Sequence, residues 1–349
     1  MTIPTEHIGS IPRPDYLIAA SAQMDAAEHA RLVQRALRDT IERFEATGSP
    51  VITDGEQSKS SFVTYPLTGL SNLASDGIVI PFEDGHTRKL PRLTAWPFRY
   101  GLYASKFVTD ARRLATRPVK QAVISASALS LLYPQSGIPG YPQEQFLTDL
   151  VAEAVKDIRG SLDSGADSVQ IDFTEGRLSL KLDPSGGLLK QFVALNNRVL
   201  DHFTEEERRH IGVHTCPGGD HDATHSAAMD YADLLPALFQ LRVHRFYMQL
   251  ASEPDPARVL SIVKEHLGPD RLLFVGVIDP INVRVESPEE VRDRILLAAR
   301  YIPVMQLGST DDCGFSPFAD DTSTSRDIAF AKIRARVAGT DMAARQLLG

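Results

Sequence analysis

Short apolar runs, each followed by apolar residues at helical spacing, recur along the chain and read as βα units. Candidate strands fall at 51–53, 121–125, 168–172, 211–214, 246–250, 272–277 and 304–307, with a fainter run at 93–97. Eight such strands are what a (β/α)8 barrel requires. The run LLFVGVI is nearly all apolar, as expected for a parallel strand covered on both faces. Residues 141–164 place Phe146, Leu147, Leu150, Val151, Ala154, Val155, Ile158 and Leu162 on one helical stripe, and Gly165 suits a left-handed stop. Ser287-Pro288-Glu289-Glu290 is a capping box with proline at the first helical position, opening a helix to about Tyr301. Val259, Ile262, Val263 and Leu267 supply a shorter helical face. A helix over Ala26–Ala46 follows an extended arm. The pattern predicts an α/β fold: a (β/α)8 TIM barrel, a single domain over 1–349, with 1–48 as N-terminal arm and helix.

Composition narrows the function classes. The chain has 349 residues, of which 43% are apolar, enough for a substantial core. No stretch approaches the ~20 apolar residues that cross a bilayer. The start, MTIPTEHIGS, lacks the basic and apolar run of a signal peptide, so the cytoplasm is the expected location and no membrane partner is expected. A net charge of -8 without a Lys/Arg-rich run argues against nucleic acid. The cysteines are two, Cys216 and Cys313, too few for a disulfide framework in a chain of this length. The oligomeric state is left open, a homo-oligomer included.

In such barrels the chemistry sits at the carboxyl ends of strands. Asp54-Gly55-Glu56, Asp172, His214-Thr215-Cys216, Gln249 and Cys313-Gly314 all fall at or just past a predicted strand end. Extended backbone sends His214 and Cys216 to the same side, roughly 6–7 Å apart, close enough to share one tetrahedral ion. Cys313 lies on the same rim. Imidazole and thiolate together suit zinc. The competing reading is a satisfied polar histidine and two packed cysteines. His221 and His225 lie four apart, but with no third ligand adjacent they read as a solvated loop or helix face.

HIGSIPRP, ITDGEQ, PVKQAVIS, VQIDFTEG, VHTCPGGD, VESPEEVRDRI and DDCGF, in this order over nearly the whole chain, carry a resemblance. The chain resembles the catalytic C-terminal half of cobalamin-independent methionine synthase and its single-barrel relatives. The resemblance implies a (β/α)8 barrel, methyl transfer from a 5-methyltetrahydrofolate-type donor to a homocysteine-like thiol, and so a place in methionine biosynthesis. It implies Zn2+ held by His214, Cys216 and Cys313. It also implies that Glu56 and Asp172 hold the substrate's amino group, and that the backbone of Ile8, Gly9 and Ser10 grips its carboxylate. Rim salt bridging or helix capping is the alternative for the two carboxylates. Where the family has a fourth ligand, a glutamate, this chain has Gln249, a feebler ligand, with Glu253 four residues on as a substitute.

That departure keeps a second reading open: addition of a thiol to an epoxide, as in the zinc-dependent epoxyalkane–coenzyme M transferase. A third is a non-metal barrel like uroporphyrinogen decarboxylase. Arg177 and Lys181 would bind a sulfonate or a folate glutamate, or form a solvated helix face. A methylated tertiary amine leaves only once protonated, so an acid is needed; His221 and Asp312 are the candidates. No aromatic pair suggests a pterin site, and Trp96 reads as core or rim.

Overall fold

The computed structural model describes residues 2–20, 25–218 and 224–349. Strands buried on both faces pair in parallel, as their apolar runs demand. β1 (Leu73–Pro81) and β2 (Thr87–Leu93) form an antiparallel hairpin outside this system. β3 (Lys120–Ile124), β4 (Ser168–Asp172), β5 (Ile211–Thr215), β6 (Arg245–Met248), β7 (Leu272–Ile278) and β8 (Leu307–Asp311) make a six-stranded parallel sheet in chain order.

Two extended segments complete it. On the β8 side the N-terminal arm pairs in parallel, Thr5 with Ser309, through bonds from Glu6 N–H to Ser309 O and from Ser309 N–H to Pro4 O. On the β3 side Ile52 pairs in parallel with Val119. The outer segments then meet each other: Ile11 N–H donates to Gly55 O, and Thr53 Oγ1 to Gly9 O. Eight extended segments thus close a ring, the architecture of a TIM barrel.

The membership of that ring differs from expectation in two places. The run at 93–97 is no stave: Leu93 ends the hairpin and Trp96 is 65% exposed, so Trp96 is not core. The arm takes the missing place, its pairing hidden by prolines and charged residues. At the other end, Val304–Gln306 is a 3-10 turn and the strand lies over Leu307–Asp311. Its sequence, LGSTD, is fully buried yet mostly polar, since Ser309 bonds Thr340 across to the C-terminal helix Arg326–Leu348.

The helices follow their end signals. Ala26–Ala46 is capped by Asp25, which accepts from Ala27 and Glu28 N–H. The expected capping box at Ser287 and Glu290 is present and opens Pro288–Ala298. Gln143–Asp163 buries Phe146, Leu150, Val151, Ala154 and Ile158 of the predicted stripe, leaves Leu147, Val155 and Leu162 half-buried, and is followed by Gly165 at φ 93°. Among the described residues no helix is long and apolar enough to cross a membrane.

Candidate metal centre and its cavity

Strand ends converge on one point. β5 carries His214 and delivers Cys216 one residue past its end; β8 delivers Cys313 two residues past its end. The ligand atoms of His214, Cys216 and Cys313 all lie within 4.8 Å of one another, and all three residues are buried. The Sγ atoms of Cys216 and Cys313 are 2.8 Å apart. Gly314 permits this approach: a Cβ there would sit 2.1 Å from Ser10 Oγ, so the arm and the 313–316 turn close only over glycine. Ser10 in turn accepts from Phe315 N–H at 3.0 Å and, through Oγ, from Ser316 N–H at 3.1 Å.

The electrostatics are those of a cation site. Burial would lower the His214 imidazole, but the facing Cys216 thiolate and the Asp172 carboxylate push it up to about 10. Burial would likewise raise the Cys216 thiol, yet the hydrogen bond with Cys313 and the neighbouring imidazole bring it down to about 5. His214 Nδ1 lies 3.2 Å from Asp172 Oδ1, and Nε2 lies 3.3 Å from Asp312 O. A carboxylate that orients an imidazole through one nitrogen leaves the other for a metal. Two sulfurs and one imidazole gathered within 4.8 Å would satisfy a single soft cation without rearranging the strands.

The three side chains open onto a cavity of about 120 Å³, lined by Ile8, Gly9 and Ser10 of the arm, by Glu56 and Asp172, and by Ile80, Phe82 and Leu90 of the hairpin. The residues expected to hold the substrate's amino and carboxylate groups are therefore brought to one place. Glu56 is held in a left-handed turn at φ 58°, unusual for a non-glycine residue, with its N–H bonded to Asp54 Oδ1 at 3.0 Å. Its carboxylate already has a partner, Lys59 Nζ at 3.0 Å, itself buried. Burial pushes Glu56 up against that cation's pull. Asp172 Oδ1 accepts from Gln170 as well as His214.

Other expected residues have different employment. Gln249 donates its amide to Ser252 Oγ and Glu253 Oε1, both at 3.0 Å, and its carbonyl faces Arg177 at 3.5 Å. Glu253 pairs with Arg177 at 3.1 Å. Arg177 is no solvated helix face: it is buried and donates to the carbonyls of Ala227 and Met229. Lys181 donates to His225 O at 2.8 Å. His225 is buried rather than solvated, lines the cavity and packs edge-on against Phe82. Asp312 is consumed structurally, accepting from the N–H groups of Leu250, Ala251 and Ser252 and from Ser252 Oγ. His221 lies outside the described residues.

Sequence reasoning missed Glu175, Phe82 and Phe318 among the residues lining the cavity. Glu175 stood in the quoted motif VQIDFTEG, three residues past a strand end, a signal spent on Asp172 alone. The aromatic pair left no signal, because Phe82 and Phe318 are far apart in sequence and meet only in the fold, with ring centroids 6.4 Å apart.

Fold and site together define an α/β barrel with a metal-competent imidazole–dithiol centre at the carboxyl ends of its strands. No family model matches the chain. A methionine synthase of Saccharolobus solfataricus is 23% identical over 352 residues, spanning 99% of this chain and 96% of that protein. A 5-methyltetrahydropteroyltriglutamate–homocysteine methyltransferase of Nitratidesulfovibrio vulgaris is 24% identical over 324 residues, 89% of this chain and 39% of that longer protein. In fold, a B12-independent methionine synthase from Shewanella sp. W3-18-1, solved with selenomethionine, superposes with a TM-score of 0.80 at 18% identity, covering 100% of this chain and 99% of the other. The chain is related over its full length to the cobalamin-independent methionine synthases, the superfamily that its ordered motifs imply.

Proposed function

We propose that this chain is a zinc-dependent methyltransferase, working as one barrel unit, that moves a methyl group from a 5-methyltetrahydrofolate-type donor to the sulfur of a homocysteine-like thiol. One observation carries the reading: His214, Cys216 and Cys313 converge within 4.8 Å beside the cavity where the expected substrate-binding groups also lie. The relatives support the reaction, being methionine synthases and a folate–homocysteine methyltransferase. That the Shewanella neighbour was solved with selenomethionine supports a methionine-like occupant here too.

His214, Cys216 and Cys313 would hold the ion, three ligands with one position exchangeable, as in catalytic rather than structural zinc. When bound, zinc supplies one thing, removal of the thiol proton at neutral pH while the sulfur stays nucleophilic. Asp172 would fix the His214 ring and present negative charge to the substrate's ammonium. Lys59 neutralises Glu56 in part, so Asp172 carries more of that recognition. The backbone of Ile8, Gly9 and Ser10 would receive the substrate carboxylate. Gln249, bonded to Ser252 and Glu253, would be at most a weak fourth ligand.

A neutral Gln249 also favours thiol addition to an epoxide as a second reading. The metal-competent cluster counts against a non-metal decarboxylase-like barrel. The test is direct. Zinc-loaded protein with homocysteine and methylated tetrahydrofolates should yield methionine. Absence of a thioether from any methyl donor sinks the first reading, and thiol consumption with small epoxides instead would establish the second.

A further inference from the structure

Thiolate alkylation at neutral pH needs more than a nucleophile, since an amine or alkoxide departs from carbon only as it gains a proton. Of the two acids suggested by the sequence, Asp312 spends its oxygens on three backbone N–H groups and a serine hydroxyl, and it is not among the residues that line the cavity. Among the described residues the cavity-lining carboxyls are Glu56, Asp172 and Glu175. Glu56 is paired with Lys59, and Asp172 accepts from Gln170 and His214, so both already have donors.

Glu175 is placed differently. It begins the helix Glu175–Leu182, is buried, and has no ion pair among the described residues. Its Oε1 accepts from Ser125 Oγ at 2.5 Å and from Ser127 Oγ. Ser127 Oγ also receives Asn196 Nδ2 at 2.7 Å, so the pair of serines is itself anchored. The other oxygen, Oε2, is buried and has no hydrogen-bond partner among the described residues. An orphaned buried carboxyl oxygen calls for a proton or a ligand.

We propose that Glu175, which lines the cavity, is the acid that protonates the leaving group of the alkyl donor, through Oε2, with Oε1 held by Ser125 and Ser127. This rests on the thiol-alkylation reading above. Burial supports it, raising the group to about 7 against the two serine hydrogen bonds, with the like charge of Asp172 adding to the rise. The step balances without a further reagent. The substrate sulfur attacks the alkyl carbon, a C–S bond forms and the C–N bond breaks. Its electron pair goes to nitrogen, nitrogen takes the Oε2 proton, and the resulting carboxylate is recharged by the proton lost from the next thiol. An epoxide oxygen would draw on the same proton.

The experiment compares wild type with Glu175→Gln and Glu175→Asp in two readouts. Infrared difference spectra of the folded holoprotein should show a protonated carboxyl band that titrates near pH 7 and is missing in Glu175→Gln. If wild type and Glu175→Gln share every such band at neutral pH, the proposal falls, whatever the activity. In the second readout, transfer from methyltetrahydrofolate should drop by roughly 100-fold or more in Glu175→Gln. Transfer from a methyl sulfonium, whose leaving group needs no proton, should change by less than about threefold, and Glu175→Asp should recover part of the folate rate. An equal loss with both donors would overturn the assignment, marking Glu175 as a positioning residue only. Failure of wild type with every donor would instead count against the thiol-alkylation reading, leaving the infrared titration to decide Glu175.

Discussion

The barrel interior holds two clusters of buried polar residues, and they are built in opposite ways. Toward the amino ends of the strands, Glu6 accepts from Arg245 Nη1 at 3.0 Å through one oxygen and from Tyr247 Oη at 2.6 Å through the other. Lys120 stands 3.6 Å from the same carboxylate and donates to Gln170 Oε1 at 2.9 Å. Each charge there faces its opposite. At the carboxyl ends, buried polar residues line a cavity: two cysteines with sulfurs 2.8 Å apart, an imidazole, and Glu175, whose Oε2 has no hydrogen-bond partner among the described residues. Burial of polar groups therefore does not mark function by itself; what marks it is burial around a cavity.

That contrast can be broken by mutation. The largest effect is expected from His214→Ala or Cys313→Ser: metal retained after dialysis should fall to background while the far-ultraviolet spectrum and melting temperature change little. Collapse of the fold with metal loss would make the centre structural instead of catalytic. In the lower cluster the pattern should invert. Glu6→Ala leaves Lys120 and Arg245 facing each other without a counter-charge, so denaturant titration should show a loss of about 3–5 kcal/mol. Metal affinity of the folded fraction should not change.

Two smaller effects sharpen the upper site. Asp172→Asn keeps the shape but weakens the carboxylate–imidazole bond, and should cost about 10–100-fold in metal affinity by competitive chelation. Gln249→Glu should alter metal affinity by less than about tenfold. Its new carboxylate would be held by Arg177, 3.5 Å away, and repelled by Glu253. A larger gain would show that Gln249 occupies the fourth coordination position.

The sequence was most legible where one side-chain pattern obeys one constraint. β7 is a continuous apolar run because both faces are covered, and the predicted bounds of β4, β5 and β7 match within a residue. The pattern misleads where the barrel is filled with polar groups, as in LGSTD of β8, or where a stave is recognisable only by its partner, as with Thr5. The three metal-competent residues were legible because chemistry restricts them to rare residue types at strand ends. Arg177 and Glu175 were not: a helix-borne arginine and glutamate look the same in sequence whether they face water, a carbonyl or a cavity. Likewise the hairpin that roofs the cavity shows an exposed, irregular pattern, with Ile78 and Val79 each about half exposed, so its inward residues do not announce a binding role.

Zinc-edge X-ray absorption of the purified protein, with and without homocysteine, tests the account most directly. The prediction is a first shell of two sulfurs with nitrogen or oxygen neighbours from His214, Cys216 and Cys313, gaining one sulfur when homocysteine is added. A shell without sulfur, or one that homocysteine leaves unchanged, would contradict thiol activation at this centre.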